Sequence, residues 1–254
     1  MDIPFTNILG IRVHLIDLNT VLPLVERFIQ SRKSHQIVVV NVAKIVKAQF
    51  NNLLKDIINK ADLVGADGVP VIWVSKLFRP KIPGRLNGTD LMGSLVEMSA
   101  HKGYSIYFFG AEDDVVNKVV SFYTKKYPTL KIAGYRNGYF SIDDEIEIVK
   151  QIRQSNADIL LVGFGTPKKE IFIKKYKYEM KVPVIHGVGG SFDVVAGKTK
   201  RAPIWMQKYG LEWFFRIFQE PRRMLKRYLV TNSLFIIFII LRLLRIKKFD
   251  LEHQ

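Results

Sequence analysis

Cysteine is absent from the 254 residues, which excludes disulfides, thiolate metal ligands and a cysteine nucleophile. Acidic residues are scarce: 23 Asp and Glu face 39 Lys and Arg, a formal net charge of +16, so an anionic partner or surface is expected. Several signatures are also missing. No glycine fingerprint for dinucleotides follows the first strand, there is no Walker lysine loop, and no His-x-x-x-His or carboxylate cluster has metal spacing. No recognised nucleic-acid motif accompanies the positive charge, so a nucleic-acid partner is not expected. Met1-Asp2-Ile3-Pro4-Phe5 lacks the basic start and apolar core of a signal peptide, which points to a cytoplasmic body. No repeat, low-complexity linker or disorder-prone stretch interrupts the chain.

What is present suits one well-buried domain, or one domain with an appendage. The first two-thirds alternate short apolar β-rich runs with amphipathic helical stretches, the signature of an α/β fold with a mostly parallel sheet and helices on both faces. Strands are expected at Ile37 to Val40, Ser105 to Phe109, Asp158 to Val162 and Val182 to His186, with weaker signals at Ile11 to Leu15, Ala61 to Val64 and Lys131 to Tyr135. Three of them run into Gly110, Gly163 and Gly187, which permits a tight turn at the carboxyl edge where open α/β sheets bind ligands. Helices are expected over Val21 to Gln30 behind Asp17 or Asn19, Leu91 to His101 behind Thr89-Asp90, and Glu145 to Gln154 behind Ser141. Thr166-Pro167 opens another. Glu112-Asp113-Asp114 is explained by a helix start, and His35, His101, His186 and His253 look isolated.

After Gly190 the pattern changes to aromatic-rich helical sequence, and the boundary is read near 196 to 203: residues 1–196 as body, 197–254 as appendage. That last segment holds 13 Lys and Arg against 4 Asp and Glu. Arg222, Arg223, Lys226 and Arg227 precede the run Leu234 to Leu241, and Arg242, Arg245, Lys247 and Lys248 follow it. The uncharged stretch from Tyr228 is about 14 residues, short of the roughly 20 that span a bilayer. A final helix from Pro221 toward Ile246, lying in the interface of an anionic membrane with Arg242 to Lys248 on the headgroups, fits this better than a span. Self-association is another way to cover its apolar surface.

Two loops could carry chemistry. Asp67-Gly68 follows the strand ending near Val64, where an Asp is either a turn former or, partly desolvated, a general base. Gly163-Phe-Gly165-Thr-Pro167-Lys-Lys169-Glu170 enters a helix N-terminus, a natural anion site whose lysines hold phosphate or simply coat the helix. Gly187-Val-Gly189-Gly190 is glycine-rich after a strand, which suits a tight turn or a phosphate contact equally.

Together with Arg85-Leu-Asn-Gly88-Thr-Asp90, with Ser-Phe-Asp193-Val-Val-Ala-Gly197-Lys-Thr-Lys-Arg201-Ala-Pro203, and with Gly210-Leu-Glu-Trp213-Phe-Phe-Arg216-Ile-Phe-Gln-Glu220-Pro221-Arg-Arg223, these blocks resemble, in order, the WecG/TagA/CpsF glycosyltransferases. The resemblance implies a Rossmann-like fold and inverting, metal-independent transfer from a UDP-sugar to a polyprenyl-diphosphate-linked sugar at the cytoplasmic membrane face, with no cofactor. It assigns the base to Asp67 and puts Arg85 beside it. It implies donor contacts at Gly165, Pro167, Lys169, Glu170, Gly187, Gly189, Gly190, Asp193, Arg216, Arg223 and Arg227, and a sugar pocket near Val39, Asn41 and Asp90. Lys169 stands where the family usually has glutamine and Val39 where it has threonine. The donor sugar expected is of N-acetylmannosamine type or, since a lysine there would suit one, a related acidic or differently substituted sugar. The alternative is a non-catalytic membrane-surface protein that keeps the fold.

Overall fold

The computed structural model describes residues 3–77 and 80–244. A short antiparallel hairpin, β1 (Phe5–Ile8) and β2 (Ile11–His14), precedes helix α1 (Leu18–Ser31). Six parallel strands then form one sheet: β3 (His35–Val40), β4 (Leu63–Ala66), β5 (Ser105–Gly110), β6 (Lys131–Arg136), β7 (Ile159–Gly163) and β8 (Val184–Gly187), in the order β4-β3-β8-β7-β5-β6. All seven expected strands are there. The eighth, β1, escaped the sequence because it is four residues long and carries polar Thr6 and Asn7.

The strands' period of two assigns each face its own core. Ile37, Ile106, Phe108, Ile159 and Leu161 point to one side, under α1, α5 (Gly88–Lys102), α6 (Asp113–Lys126) and α9 (Ser191–Val195). Val38, Val40 and Val64 point to the other, beneath the hairpin, α2 (Val42–Gln49) and α3 (Asn52–Asn59). On that same side Tyr107, Phe109, Leu160 and Val162 pack under α7 (Glu145–Gln154) and α8 (Lys168–Met180). This is a Rossmann-like α/β architecture. The helices that follow neighbouring β3 and β8 leave to opposite faces, which opens a crevice at their carboxyl ends.

The sequence expected Thr89-Asp90 to cap α5. Instead Asn87 is the N-cap, its Oδ1 accepting from the N–H of Thr89 at 2.8 Å and of Asp90 at 3.2 Å. Asparagine is at least as good a cap as threonine, and taking it starts the helix three residues earlier.

Beyond α9 the chain forms α10 (Ile204–Lys208), α11 (Glu212–Gln219) and α12 (Pro221–Leu243). At 23 residues α12 is long and apolar enough by length and composition to cross a membrane, longer than the uncharged run alone suggested. Part of its apolar surface is already used within the protein: Phe235 and Ile239 are buried in the core that holds Val42, Ile45 and Val46 of α2. Phe238 packs against Phe50 with tilted rings, centroids 5.9 Å apart. Leu229, Ile236, Ile237 and Ile240 remain exposed, as do Trp205, Tyr209 and Phe218 before them.

Candidate functional site

The chain leaves β3 and β4 through Asn41 and Asp67. Asn41 caps α2, accepting the Lys44 N–H at 3.0 Å, and Asp67 donates its own N–H to the Val40 carbonyl at 2.7 Å. Leu86 then runs back alongside β4, donating to the Ala66 carbonyl at 2.7 Å. That single bond places the flanking Arg85 and Asn87 against Asp67. Arg85 Nε and Nη2 and Asn87 Nδ2 all donate to Asp67 Oδ1, each at 3.3 Å. Asn87 therefore starts α5 with its oxygen and steadies Asp67 with its nitrogen.

Above this edge lies a cavity of about 360 Å³, with Asn41, Asp67, Arg85 and Asn87 of the body on one side and Glu212, Arg216, Arg227 and Tyr228 of the C-terminal helices on the other. The two halves meet closely at Gly210. Its φ of +71° and its contact with Val69, where any Cβ would collide, both require glycine. Glu212, in the first turn of α11, pairs with Arg85 and lies 3.7 Å from Arg201 Nε. Arg201 Nη2 reaches Asp90 Oδ1 at 2.5 Å. Burial pushes the Asp67 carboxyl above the usual aspartate range; Glu212 adds to this, while Arg85 and Arg216 oppose it. Even so, 23% of the Asp67 side chain remains accessible, and Asp67 lines the cavity.

The expected site residues separate into three groups. Asp67, Arg85, Asn41, Arg216 and Arg227 share the cavity wall. Asp90 and Arg223 are close by but paired, with Arg201 and Glu220 respectively. The third group lies elsewhere. Val39 is buried in the sheet core against Gly88, and Asp193, on α9, interacts with Lys198, Glu112 and Arg223. Gly165, Pro167, Gly189 and Gly190 do not line the cavity. Lys169 and Glu170 are buried to 4% and 1% exposure, where Lys169 Nζ and Lys44 Nζ bind Glu170 Oε1 at 2.9 and 3.0 Å, and the Lys169 stem fills the space a side chain at Gly187 would need. Arg242 donates to Asn7 Oδ1 at 3.1 Å; Arg245, Lys247 and Lys248 fall outside the described residues. Glu212, Asn87, Arg201 and Tyr228 were not singled out for a role beforehand. Among the described residues no group of three His, Asp or Glu is placed to hold a metal ion.

Residues 6–249 match the Glycosyl transferase WecG/TagA/CpsF family. An N-acetylglucosaminyldiphosphoundecaprenol N-acetyl-beta-D-mannosaminyltransferase of Bacillus subtilis strain 168 is 38% identical over 66% of this chain and 65% of its own length, just under two thirds. A protein of the same name from Bacillus spizizenii strain W23 is 34% identical over 77% of this chain and 76% of its own.

Proposed function

The chain belongs to the WecG/TagA/CpsF family of glycosyltransferases, and from that premise we propose that it moves a sugar from a UDP-linked donor onto a sugar carried by a polyprenyl diphosphate, inverting the anomeric carbon. The observation that carries this reading is Asp67: a carboxylate at the carboxyl edge of the sheet, made more basic by burial and open to a cavity whose far wall carries Arg216 and Arg227. Asp67 takes the proton of the acceptor hydroxyl as that oxygen attacks the anomeric carbon. The bond from that carbon to the UDP oxygen breaks on the opposite side, and UDP leaves with the electron pair. Charge developing on the diphosphate meets Arg216 and Arg227, whose guanidinium groups suit two-point contact with phosphate. Arg223, now paired with Glu220, joins them when that bond opens. Those arginines supply the positive charge for the leaving group, so we infer that no metal ion is needed.

The acceptor explains the position of the exposed side chains. Trp205, Tyr209 and Phe218 of the C-terminal helices, and Trp73 of α4 (Val69–Ser75), are exposed on elements that also line the cavity or adjoin it. Aromatic side chains of this kind settle at a membrane interface, and a lipid-linked acceptor would reach the cavity from that surface. We place the enzyme on the cytoplasmic face. The names of the two Bacillus relatives make UDP-N-acetylmannosamine the first donor to try.

The test is Asp67→Asn, which keeps the shape and removes the base. Turnover of UDP-N-acetylmannosamine with a lipid-diphosphate N-acetylglucosamine acceptor is expected to fall by about 10²- to 10⁴-fold with an unchanged circular dichroism spectrum. Wild-type turnover in that variant would end the assignment of the base.

A further inference from the structure

Glu212 takes no part in the steps above, yet it holds a central place in the site. Carboxylates and guanidinium groups alternate through it: Asp67, Arg85, Glu212, Arg201, Asp90. The first of these is the base on the body, and the middle one is carried by α11. The distances along the chain are unequal. Arg85 bridges the two carboxylates: it pairs with Glu212 on one side, while both of its bonds to Asp67 are 3.3 Å, long beside the 2.7–2.9 Å typical of a charged pair. A guanidinium seated fully on Asp67 would hold that carboxylate in its ionised, weakly basic form. Glu212 keeps Arg85 from doing so.

We propose that Glu212 is a positioning residue: by holding Arg85 toward the C-terminal helices it leaves Asp67 basic enough to accept the proton of the acceptor hydroxyl. This rests on the reading of Asp67 as the base, and it adds a condition to it. Glu212 reaches Arg85 only while α11 is docked on the body through the Gly210–Val69 contact, so the base is ready only when the diphosphate-binding arginines are also in place. The groups that act on Asp67 come from each element around it. Arg85 and Asn87 precede α5, Glu212 and Arg216 lie on α11, and Tyr228 lies on α12. Burial raises the carboxyl and Glu212 raises it further, against Arg85 and Arg216. Removing the charge of Glu212 therefore lowers the Asp67 pKa twice over, by losing a like charge and by releasing Arg85 onto it.

The experiment is Glu212→Gln in the full chain, assayed with UDP-N-acetylmannosamine and the lipid-diphosphate acceptor across pH. The plateau of kcat is expected to drop about tenfold, and the acid limb of kcat/KM to move about one unit lower. KM for the donor should stay within about twofold. Glu212→Asp should recover part of both changes. Arg201→Ala leaves Glu212 wholly to Arg85, so its acid limb should hold still or move upward and not follow that of Glu212→Gln. A drop in kcat with an unmoved limb would make Glu212 merely structural. Tighter calorimetric binding of UDP to Glu212→Gln at unchanged kcat would mean that Glu212 only blocks the donor site. A lower limb in Arg201→Ala would also overturn the proposal. If instead Asp67→Asn keeps its turnover, the assignment of the base fails, whatever Glu212→Gln does.

Discussion

Two charged clusters sit within this chain, and they look alike on paper. One joins Lys44, Lys169 and Glu170 where α2 and α8 pack beside the sheet; the other joins Asp67, Arg85, Glu212 and Arg201 at the sheet's edge. Both alternate cations with carboxylates, and in both the central carboxylate is largely shielded, Glu170 at 1% and Glu212 at 18% side-chain exposure. In the first, two lysines converge on a carboxylate only 1% exposed, against which no cavity of useful size opens. Burial pushes the Glu170 carboxyl up, but Lys44 and Lys169 outweigh it and hold it ionised. In the second, the carboxylate is raised rather than lowered and faces a cavity. Charge and burial do not by themselves make a site. Room for a substrate and a base left under-neutralised do.

The comparison is tested hardest on the cavity's cationic wall. Replacing Arg216 and Arg227 together by alanine should cost about 10²- to 10³-fold in kcat/KM, the scale of losing donors aimed at developing charge. Calorimetry with UDP should show weakened binding in the same variant. Turnover within twofold of wild type would move the diphosphate elsewhere, and the Glu170 cluster would be the next place to look.

Much of this contrast was hidden in the sequence, for physical reasons. The place of Asp67 was legible because a strand ended in Asp-Gly, which is local information, but that left it a turn former or a base, and only the family resemblance named it the base. The strands themselves were legible from apolar runs that end in Gly110, Gly163 and Gly187. The partners of Asp67 were not legible from spacing. Arg85 and Asn87 reach it through the backbone bond between Leu86 and Ala66, and Glu212 reaches Arg85 across 127 residues. The family blocks brought Lys169 and Glu170 forward as donor contacts, but a pattern of residue types cannot show whether a lysine lies on a cavity wall or beneath it. The Lys169 stem packs against Gly187, and its ammonium faces the Glu170 carboxylate.

A second prediction concerns the closed cluster. Glu170→Gln leaves two buried ammonium groups without a counter-ion, and losing one partner of such a group costs about 3 kcal/mol or more. The denaturant midpoint should fall accordingly, while turnover per folded molecule stays close to wild type. A variant as stable as wild type but inactive would mean that Glu170 handles substrate, and the distinction between the clusters would collapse.

The smallest effect is the most discriminating. Lys169→Gln removes one of the two cations and leaves Glu170 paired with Lys44. Burial depresses the Lys169 pKa to about 8, so its charged form is disfavoured in the folded protein. A group whose folded pKa lies below its unfolded value detracts from stability below the folded pKa, and that cost fades as pH rises toward the unfolded value. Losing the charge is therefore offset by losing its desolvation, and stability near pH 7 should change by no more than about 1 kcal/mol. Because Lys169 does not line the cavity, the order in which the enzyme accepts UDP-N-acetylmannosamine, UDP-N-acetylglucosamine and UDP-glucuronic acid should be the same in both proteins. If the acidic sugar loses ground specifically in Lys169→Gln, then Lys169 reads the donor. The closed cluster would then be the floor of the site rather than a support beneath it.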